Sequence, residues 1–117
     1  MSAPAVEVVR GVAVARLEGE IDHSNGEQVE RRLEAALAGA DGGLVVDMSL
    51  VTFADSSAIS ALFRLARLAG ERRCPLGLVI PPESVVERVL GVVALDQVVP
   101  TTHDLDAAVD GVLELQV

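Results

Sequence analysis

The sequence predicts an α/β domain with a mostly parallel central sheet and about four helices. Apolar runs of strand length alternate with amphipathic stretches of helix length, in the order ββαβαβαβα. Parallel strands need a crossover connection, usually a helix, so the alternating part favours a parallel sheet and the first two strands an antiparallel hairpin. With 117 residues, no internal repeat and no linker, the chain is expected to be a single domain over residues 1–117.

The hairpin is predicted from two short apolar segments. Residues 6–10 and 12–17 are separated by a tight turn at Arg10-Gly11. Side chains alternate in the second segment: Val12, Val14 and Arg16 face one side, and Ala13, Ala15 and Leu17 face the other. Residues 1–5 are expected to be a loose amino-terminal end.

The first helix is predicted to begin at Asn25. Ser24 and Glu27 have the spacing of a capping box, in which each side chain accepts a backbone N–H of the first turn. The expected buried stripe of this helix consists of Val29, Leu33 and Leu37, and the helix should end at Gly39, Gly42 and Gly43.

Residues 44–70 contain the segment around which the domain is organised. The apolar run 44–46 ends at Asp47 and suits a strand buried on both faces. A second extended segment, 51–54, leads into Asp55-Ser56-Ser57 and a helix that should end at Gly70. The expected polar stripe of this helix is Ser60, Arg64, Arg67 and Glu71, and its expected apolar side is Ile59, Leu62, Phe63, Leu65 and Ala66.

The remaining chain predicts two further strand–helix pairs. Residues 75–80 form a short apolar strand, and Pro82 suits the first turn of a helix that runs to about Leu90. Residues 98–101 are predicted as the last strand. A final helix runs from Asp104 to about Val112, with either Asp104 or Thr102 as its N-cap.

Composition and charge exclude several classes of function. The net charge is −9, which argues against nucleic acid and anionic membrane surfaces as partners. A single cysteine allows no intramolecular disulfide and favours an intracellular location. No apolar run resembles a signal peptide or is long enough to span a bilayer, so no membrane insertion is expected and the predicted location is the cytoplasm.

The sequence offers little for catalysis. His23 and His103 have no Cys or carboxylate at metal-ligand spacing, and Cys74 is more typical of a packed thiol than of a reactive one. There is no Gly-x-Ser-x-Gly elbow, and the absence of any lysine excludes a Walker-type phosphate loop. We therefore expect a protein that is not an enzyme and uses no metal or cofactor.

Asp55, Ser56 and Ser57 offer more polar side chains than a helix start requires. An aspartate or serine here can be an ordinary N-cap, but capping employs only one of the three. The helix start also favours negative charge, including a phosphate. Ser57 lies three residues before Ser60, at the top of the polar stripe, so the spacing favours Ser57 over Ser56 as the serine that faces solvent.

Three segments resemble the STAS domain family, most closely its stand-alone anti-sigma factor antagonists. Val-Asp-Met-Ser-Leu-Val-Thr-Phe-Ala-Asp-Ser-Ser-Ala-Ile-Ser (46–60) is similar to the family signature, in which Asp-Leu-Ser ends a strand and Val-x-Phe-x-Asp-Ser-Ser/Thr-Gly-Leu-Gly opens a helix. Gly-Glu-Ile-Asp (19–22) is similar to the family's Gly-Glu-Leu-Asp, and residues 89–100 resemble its closing helix and strand. The resemblance covers roughly residues 6–113 and implies a STAS-like fold.

The resemblance also implies a function that depends on phosphorylation. Ser57 matches the phosphorylated residue of the family, Asp55 the acidic residue just before the serine pair, and Asp22 an aspartate that helps to engage the partner. The implied partners are an anti-sigma factor serine kinase, which the unmodified protein binds so that its sigma factor is released, and a metal-dependent serine phosphatase. Ala58 and Ser60 replace two glycines of the family pattern. The residues expected to contact the partner are Asp22, Asp55, Ser56, Ser57, Ala58, Ser60 and Arg64.

The resemblance leaves a second function open. STAS domains also serve as accessory subunits of membrane transporters or larger signalling assemblies, in which Ser57 would not be phosphorylated. Neighbouring genes distinguish the two: a small kinase-like anti-sigma gene favours the switch, and a transporter operon favours the structural subunit.

Overall fold

The computed structural model describes residues 5–116 as an α/β fold with one five-stranded sheet in the order β1-β2-β3-β4-β5. β1 and β2 are antiparallel and the other neighbours are parallel, which confirms the predicted fold class. The strands are β1 (Ala5–Val9), β2 (Val12–Ile21), β3 (Leu44–Ala54), β4 (Leu76–Val79) and β5 (Thr101–Thr102). The helices are α1 (Gly26–Ala38), α2 (Ser56–Glu71), α3 (Val85–Val92) and α4 (Leu105–Leu115), with a short 3₁₀ helix at Leu95–Gln97.

The sheet separates a large core from a small one. The predicted alternation in β2 is confirmed, since Ala13, Ala15 and Leu17 lie in the large core and Val12 and Val14 in the small one. Buried residues of α1, α2 and α3 complete the large core, and Ala108, Val109 and Val112 of α4 complete the small one. Three helices therefore pack on the first face of the sheet and α4 alone packs on the second. Among residues 5–116, no helix is both long and apolar enough to cross a membrane.

Several element boundaries differ from the prediction. The two extended segments expected around Asp47 are one strand, because β3 continues through both, with two register shifts against β2. β2 is longer than predicted and reaches Ile21. α2 passes through Gly70, which has an open environment and ordinary helical geometry, and ends one residue later.

The carboxyl-terminal elements also begin at other residues than expected. α3 begins after Ser84, whose hydroxyl accepts the N–H of Glu87, so Pro82 lies in the preceding turn. The last strand contains only Thr101–Thr102. Asp104 is the N-cap of α4, which decides between the two candidates. Of the expected loose end, residues 1–4 lie outside the described residues and Ala5 begins β1.

Candidate functional site

The parallel pairing of β2 and β3 brings the candidate site together. Ile21 and Ala54 are paired at the carboxyl ends of these strands. The backbone N–H of Asp55 donates to the carbonyl of Ile21 over 3.2 Å. The turn that follows β2 and the start of α2 are therefore adjacent, and both predicted acidic residues, Asp22 and Asp55, lie at this end of the sheet.

Asp55 is the N-cap of α2. One carboxylate oxygen accepts the N–H of Ser57 at 2.8 Å, and the other accepts the N–H of His23 at 3.1 Å. Asp55 thus satisfies an orphan donor of the helix and ties the start of α2 to the turn after β2. Among the described residues, the hydroxyls of Ser56 and Ser57 have no hydrogen-bond partner, so both remain available for chemistry.

Asp22 organises the turn between β2 and α1. Its carboxylate accepts the backbone N–H of Ser24 at 2.9 Å and also the hydroxyl of Ser24. These hydrogen bonds stabilise the charged form, the hydroxyl contributing most, and lower the pKa of Asp22. The side chain of Asn25 closes the turn, since it accepts from the N–H of Asp22 and donates to the carbonyl of Glu20.

The predicted capping box at the start of α1 is wrong. The Ser24 hydroxyl donates to Asp22, and the N-cap residue Asn25 makes no side-chain capping hydrogen bond. α1 begins at Gly26, one residue later than predicted. The spacing of Ser24 and Glu27 was correct for a capping box, but a nearby carboxylate in the same turn binds the serine instead.

Ser57 is half-buried, whereas Ser56 is exposed, which is the reverse of the expectation. The cause is α1, which lies beside the polar stripe of α2. A Cβ atom added at Gly26 would come within 2.8 Å of the Ser57 Cβ, so the two helices touch at this point. α1 therefore shields Ser57 at the top of the polar stripe, whereas the stripe residues Ser60, Arg64, Arg67 and Glu71 remain exposed.

Ser56, Ser57 and Ser60 line an open depression of about 550 Å³ between the amino-terminal parts of α1 and α2. The other residues that line it are His23, Ser24, Gly26, Glu27, Gln28, Glu30 and Arg31. Two helix N-termini and four serine hydroxyls thus meet in one depression. It suits recognition of a partner, and also attachment of a phosphate at a serine.

Arg64 lies further along the same groove. Its Nε is 3.1 Å from a carboxylate oxygen of Glu30 and 3.6 Å from one of Glu34, so it bridges α2 to α1 while its side chain stays more than half exposed. A second depression of about 470 Å³ continues the groove here, lined by Glu30, Ile59, Ser60, Phe63, Arg64 and Arg67. Ile59 and Phe63, predicted as core, are partly buried along this groove.

Ala58 does not belong to this surface. Its side chain is 2% exposed and packs in the large core. The expected contact between its methyl group and a partner is therefore replaced by a structural role inside the domain. The position follows Ser57 on α2 and is turned by about 100° toward the sheet.

Sequence reasoning missed the contribution of α1 to the site. Gly26 permits the close approach of α1 to Ser57, and Glu30 holds Arg64. The only sequence signal was a glycine at the first position of a helix, since glycine has a low helix propensity. Within residues 5–116, no group of three His, Cys, Asp or Glu side chains could hold a metal ion.

The fold and this site define a small α/β domain with a serine-lined groove at the start of its second helix. A family model described as "Mlab, STAS domain" matches residues 5–100. The chain therefore belongs to the STAS domain family. No curated protein matches it.

Solved structures of anti-sigma factor antagonists are similar to this chain. One from Mycobacterium paratuberculosis is 28% identical, with a TM-score of 0.84, and the match covers 93% of this chain and 92% of that one. An RsbS variant from Moorella thermoacetica is 26% identical, with a TM-score of 0.78 and 97% of each chain covered. Bacillus SpoIIAA in its phosphorylated form is 24% identical, with a TM-score of 0.67, and 92% of this chain and 97% of that one are covered, a likeness in fold.

Proposed function

We propose that this protein is an anti-sigma factor antagonist controlled by phosphorylation of Ser57. In the unmodified state it binds a serine-kinase-type anti-sigma factor, which then releases its sigma factor. The kinase transfers the γ-phosphoryl group of ATP to the Ser57 Oγ; ADP leaves and the hydroxyl proton passes to solvent. A metal-dependent serine phosphatase hydrolyses the phosphoserine and restores binding. The protein itself catalyses no reaction and acts in the cytoplasm.

The observation that carries this proposal is that Asp55, and not Ser57, caps α2. Because Asp55 caps α2, the Ser57 hydroxyl is left without a structural hydrogen bond, and it lines the depression between α1 and α2. A serine needed only as a cap would use its hydroxyl for that purpose. Likeness to anti-sigma factor antagonists over nearly the whole chain supports the same role.

The proposed contact surface consists of the two helix starts and the groove that joins them. Ser56, Ser57 and Ser60 offer hydroxyls, Arg64 an exposed guanidinium, and Asp22 a carboxylate in the adjoining turn. Asp55 supports this surface, since its carboxylate accepts the backbone N–H of Ser57 and that of His23 in the turn after β2.

Phosphorylation would change this surface by charge. It adds about −1.5 to −2 charges near the capping carboxylate of Asp55. A unit negative charge of the partner about 4 Å from the phosphate would be repelled by roughly 4 kcal/mol per unit charge at an effective dielectric constant of about 20, before screening by solvent and salt. Since each ~1.4 kcal/mol changes affinity about tenfold, a fraction of this repulsion suffices to release the partner. The two helix N-termini offset part of the repulsion within the phosphoprotein, so the effect falls on binding rather than on folding.

The test is to map the phosphorylated residue. The wild type and the variants Ser56→Ala, Ser57→Ala and Ser60→Ala are incubated with ATP and each serine-kinase-type anti-sigma factor of the source genome, and intact mass and peptide fragments are measured. One phosphate on Ser57, lost only in Ser57→Ala, is expected. A phosphate on the more exposed Ser56, or none with any of the kinases, would refute the assignment.

A second function, as a structural subunit of a transporter or larger signalling assembly, is favoured by one observation. Ser57 is half-buried against Gly26, which limits access of a kinase to its hydroxyl. In that role Ser57 would be a packing residue and Ser57→Asp would disturb the domain itself. Co-purification with transporter subunits, together with an unphosphorylated Ser57 in cells, would support this function over the switch.

A further inference from the structure

The second face of the sheet is only half covered. The small core lies where α4 packs on Val12 and Val14 of β2, Val45 of β3 and Val79 of β4. These residues occupy the amino-terminal halves of β2 and β3. The carboxyl-terminal halves of the two strands continue beyond α4.

A charged cluster marks the limit of the covered half. Arg16 lies opposite Asp47 in the register of β2 and β3, and its Nε is 3.2 Å from an Asp47 oxygen. A terminal nitrogen of the same guanidinium is 2.7 Å from Glu7 of β1. Asp47 is 4% exposed and is the one buried charged residue among those described. Arg16 is therefore paired with both Glu7 and Asp47, and it does not neutralise a carboxylate further along the strands.

Beyond this cluster, two carboxylates of β2 lie beside two large apolar side chains of β3. Glu18 is paired with Leu50, and Glu20 is paired with Phe53. Residues paired in this way project from the same face of a sheet, here the face of Arg16 and Asp47. Leu50 is 54% exposed and Phe53 43% exposed. Neither Glu18 nor Glu20 forms an ion pair with any described residue. We call these four residues the β2–β3 patch.

We propose that the β2–β3 patch binds a basic amphipathic helix of a partner protein. Such a helix would extend the layer that α4 begins, with apolar side chains on Leu50 and Phe53 and Lys or Arg side chains on Glu18 and Glu20. Charge selects this occupant, because two unpaired carboxylates lie beside the apolar residues and the whole chain carries a net charge of −9. The same net charge opposes a second copy of this chain.

This surface is separate from the serine-lined groove. α1 and α2 pack on the first face of the sheet, whereas the β2–β3 patch lies on the second. The two surfaces come nearest at the carboxyl ends of β2 and β3, where the Glu20–Phe53 pair of the patch precedes the Ile21–Ala54 pair. Binding at the patch does not depend on phosphorylation, so it can hold even if the proposed switch does not.

The probe is a synthetic peptide of about 18 residues with Leu at helical i, i+3, i+4 spacing and Lys at the other positions. A peptide of the same composition with its Leu residues scattered around the helix is the control. Binding is measured by fluorescence anisotropy at two salt concentrations, and the site is mapped by amide chemical-shift changes in the labelled protein. Shift changes are expected at residues 16–20 and 50–53, and not at residues 56–60.

Matched variants separate the patch from the general acidity of the protein. Leu50→Gln with Phe53→Gln should weaken binding at least about tenfold, whereas Val92→Gln, at a residue 82% exposed elsewhere, should not. Glu18→Gln with Glu20→Gln should weaken binding and reduce its salt dependence, and Asp96→Asn with Glu114→Gln, which removes the same charge elsewhere, should do so much less. Melting curves check that each variant is folded.

Shift changes spread over the whole acidic surface, equal binding of the scattered peptide, or equal effects of the patch and control variants would overturn the proposal. Self-association abolished by Leu50→Gln with Phe53→Gln would overturn it too, because the occupant would then be a second copy of this chain.

Discussion

Gly26→Ala should loosen the contact on which the position of Ser57 depends. The new Cβ would lie 2.8 Å from the Ser57 Cβ, closer than side chains pack, and ordinary contact needs at least 3.4 Å. The Ser57 Cβ is fixed to the backbone of α2 and cannot rotate away. The start of α1 or of α2 must therefore move.

The expected cost follows from two opposing effects. Overpacking of this kind costs about 1–3 kcal/mol. The higher helix propensity of alanine offsets less than about 1 kcal/mol of this cost, because Gly26 is the first residue of the helix, where propensity has less effect than in the interior. We expect a net loss of about 1–2 kcal/mol, which lowers the melting temperature by roughly 4–8 °C in a domain of this size.

The assay is thermal and urea unfolding of Gly26→Ala beside Gly111→Ala. Gly111 lies in α4 with nothing within 4 Å of an added Cβ, so the same substitution there should stabilise the domain by up to about 1 kcal/mol. A double-mutant cycle with Ser57→Gly isolates the contact, since removal of the Ser57 Cβ should abolish most of the cost. If Gly26→Ala costs the same with Ser57 and with glycine at position 57, the described contact does not position Ser57.

Three further predictions test the site. Ala58→Gly should destabilise the domain by about 1–2 kcal/mol, because it removes a buried methyl group and places glycine in a helix. Partner affinity should stay unchanged in binding titrations. A change in affinity without a matching loss of stability would place Ala58 at the interface. The carboxyl of Asp22 should titrate below its ordinary pKa of 3.8 in an NMR pH series, and Ser24→Ala should raise its pKa; equal titration in both would remove the hydroxyl as the cause. Because this pKa is lowered on folding, the stability contributed by Asp22 should be fully present above about pH 4 and lost as the pH falls through the lowered value, so Ser24→Ala should reduce the loss on acidification.

The sequence was sufficient to predict the order of elements, the hairpin and the two faces of β2, because these depend on local periodicity. It was not sufficient where contacts with neighbouring elements determine the extent or exposure of a segment. Asp47 separated two predicted segments, yet β3 is continuous there because Arg16 and the backbone N–H of Ser49 satisfy the buried carboxylate.

The candidate site shows the same division. The excess of polar side chains at 55–57 was readable from the chain. The exposure of Ser56 and Ser57 was not, since helical spacing gives a direction around α2 and contains no information on where α1 packs. Gly26 allows the close approach of the two helices, but the importance of its missing side chain is visible only once both helices are placed.

The central claim, that phosphorylation of Ser57 controls binding, is tested most directly by the affinity of the kinase-type anti-sigma factor for three forms of the protein. These are the unmodified wild type, the enzymatically phosphorylated wild type and Ser57→Ala, each compared by calorimetry and by melting temperature. The account predicts that the phosphorylated form binds at least about tenfold more weakly at nearly the same melting temperature, whereas Ser57→Ala binds like the unmodified form. Equal affinity of the phosphorylated and unmodified forms would contradict it.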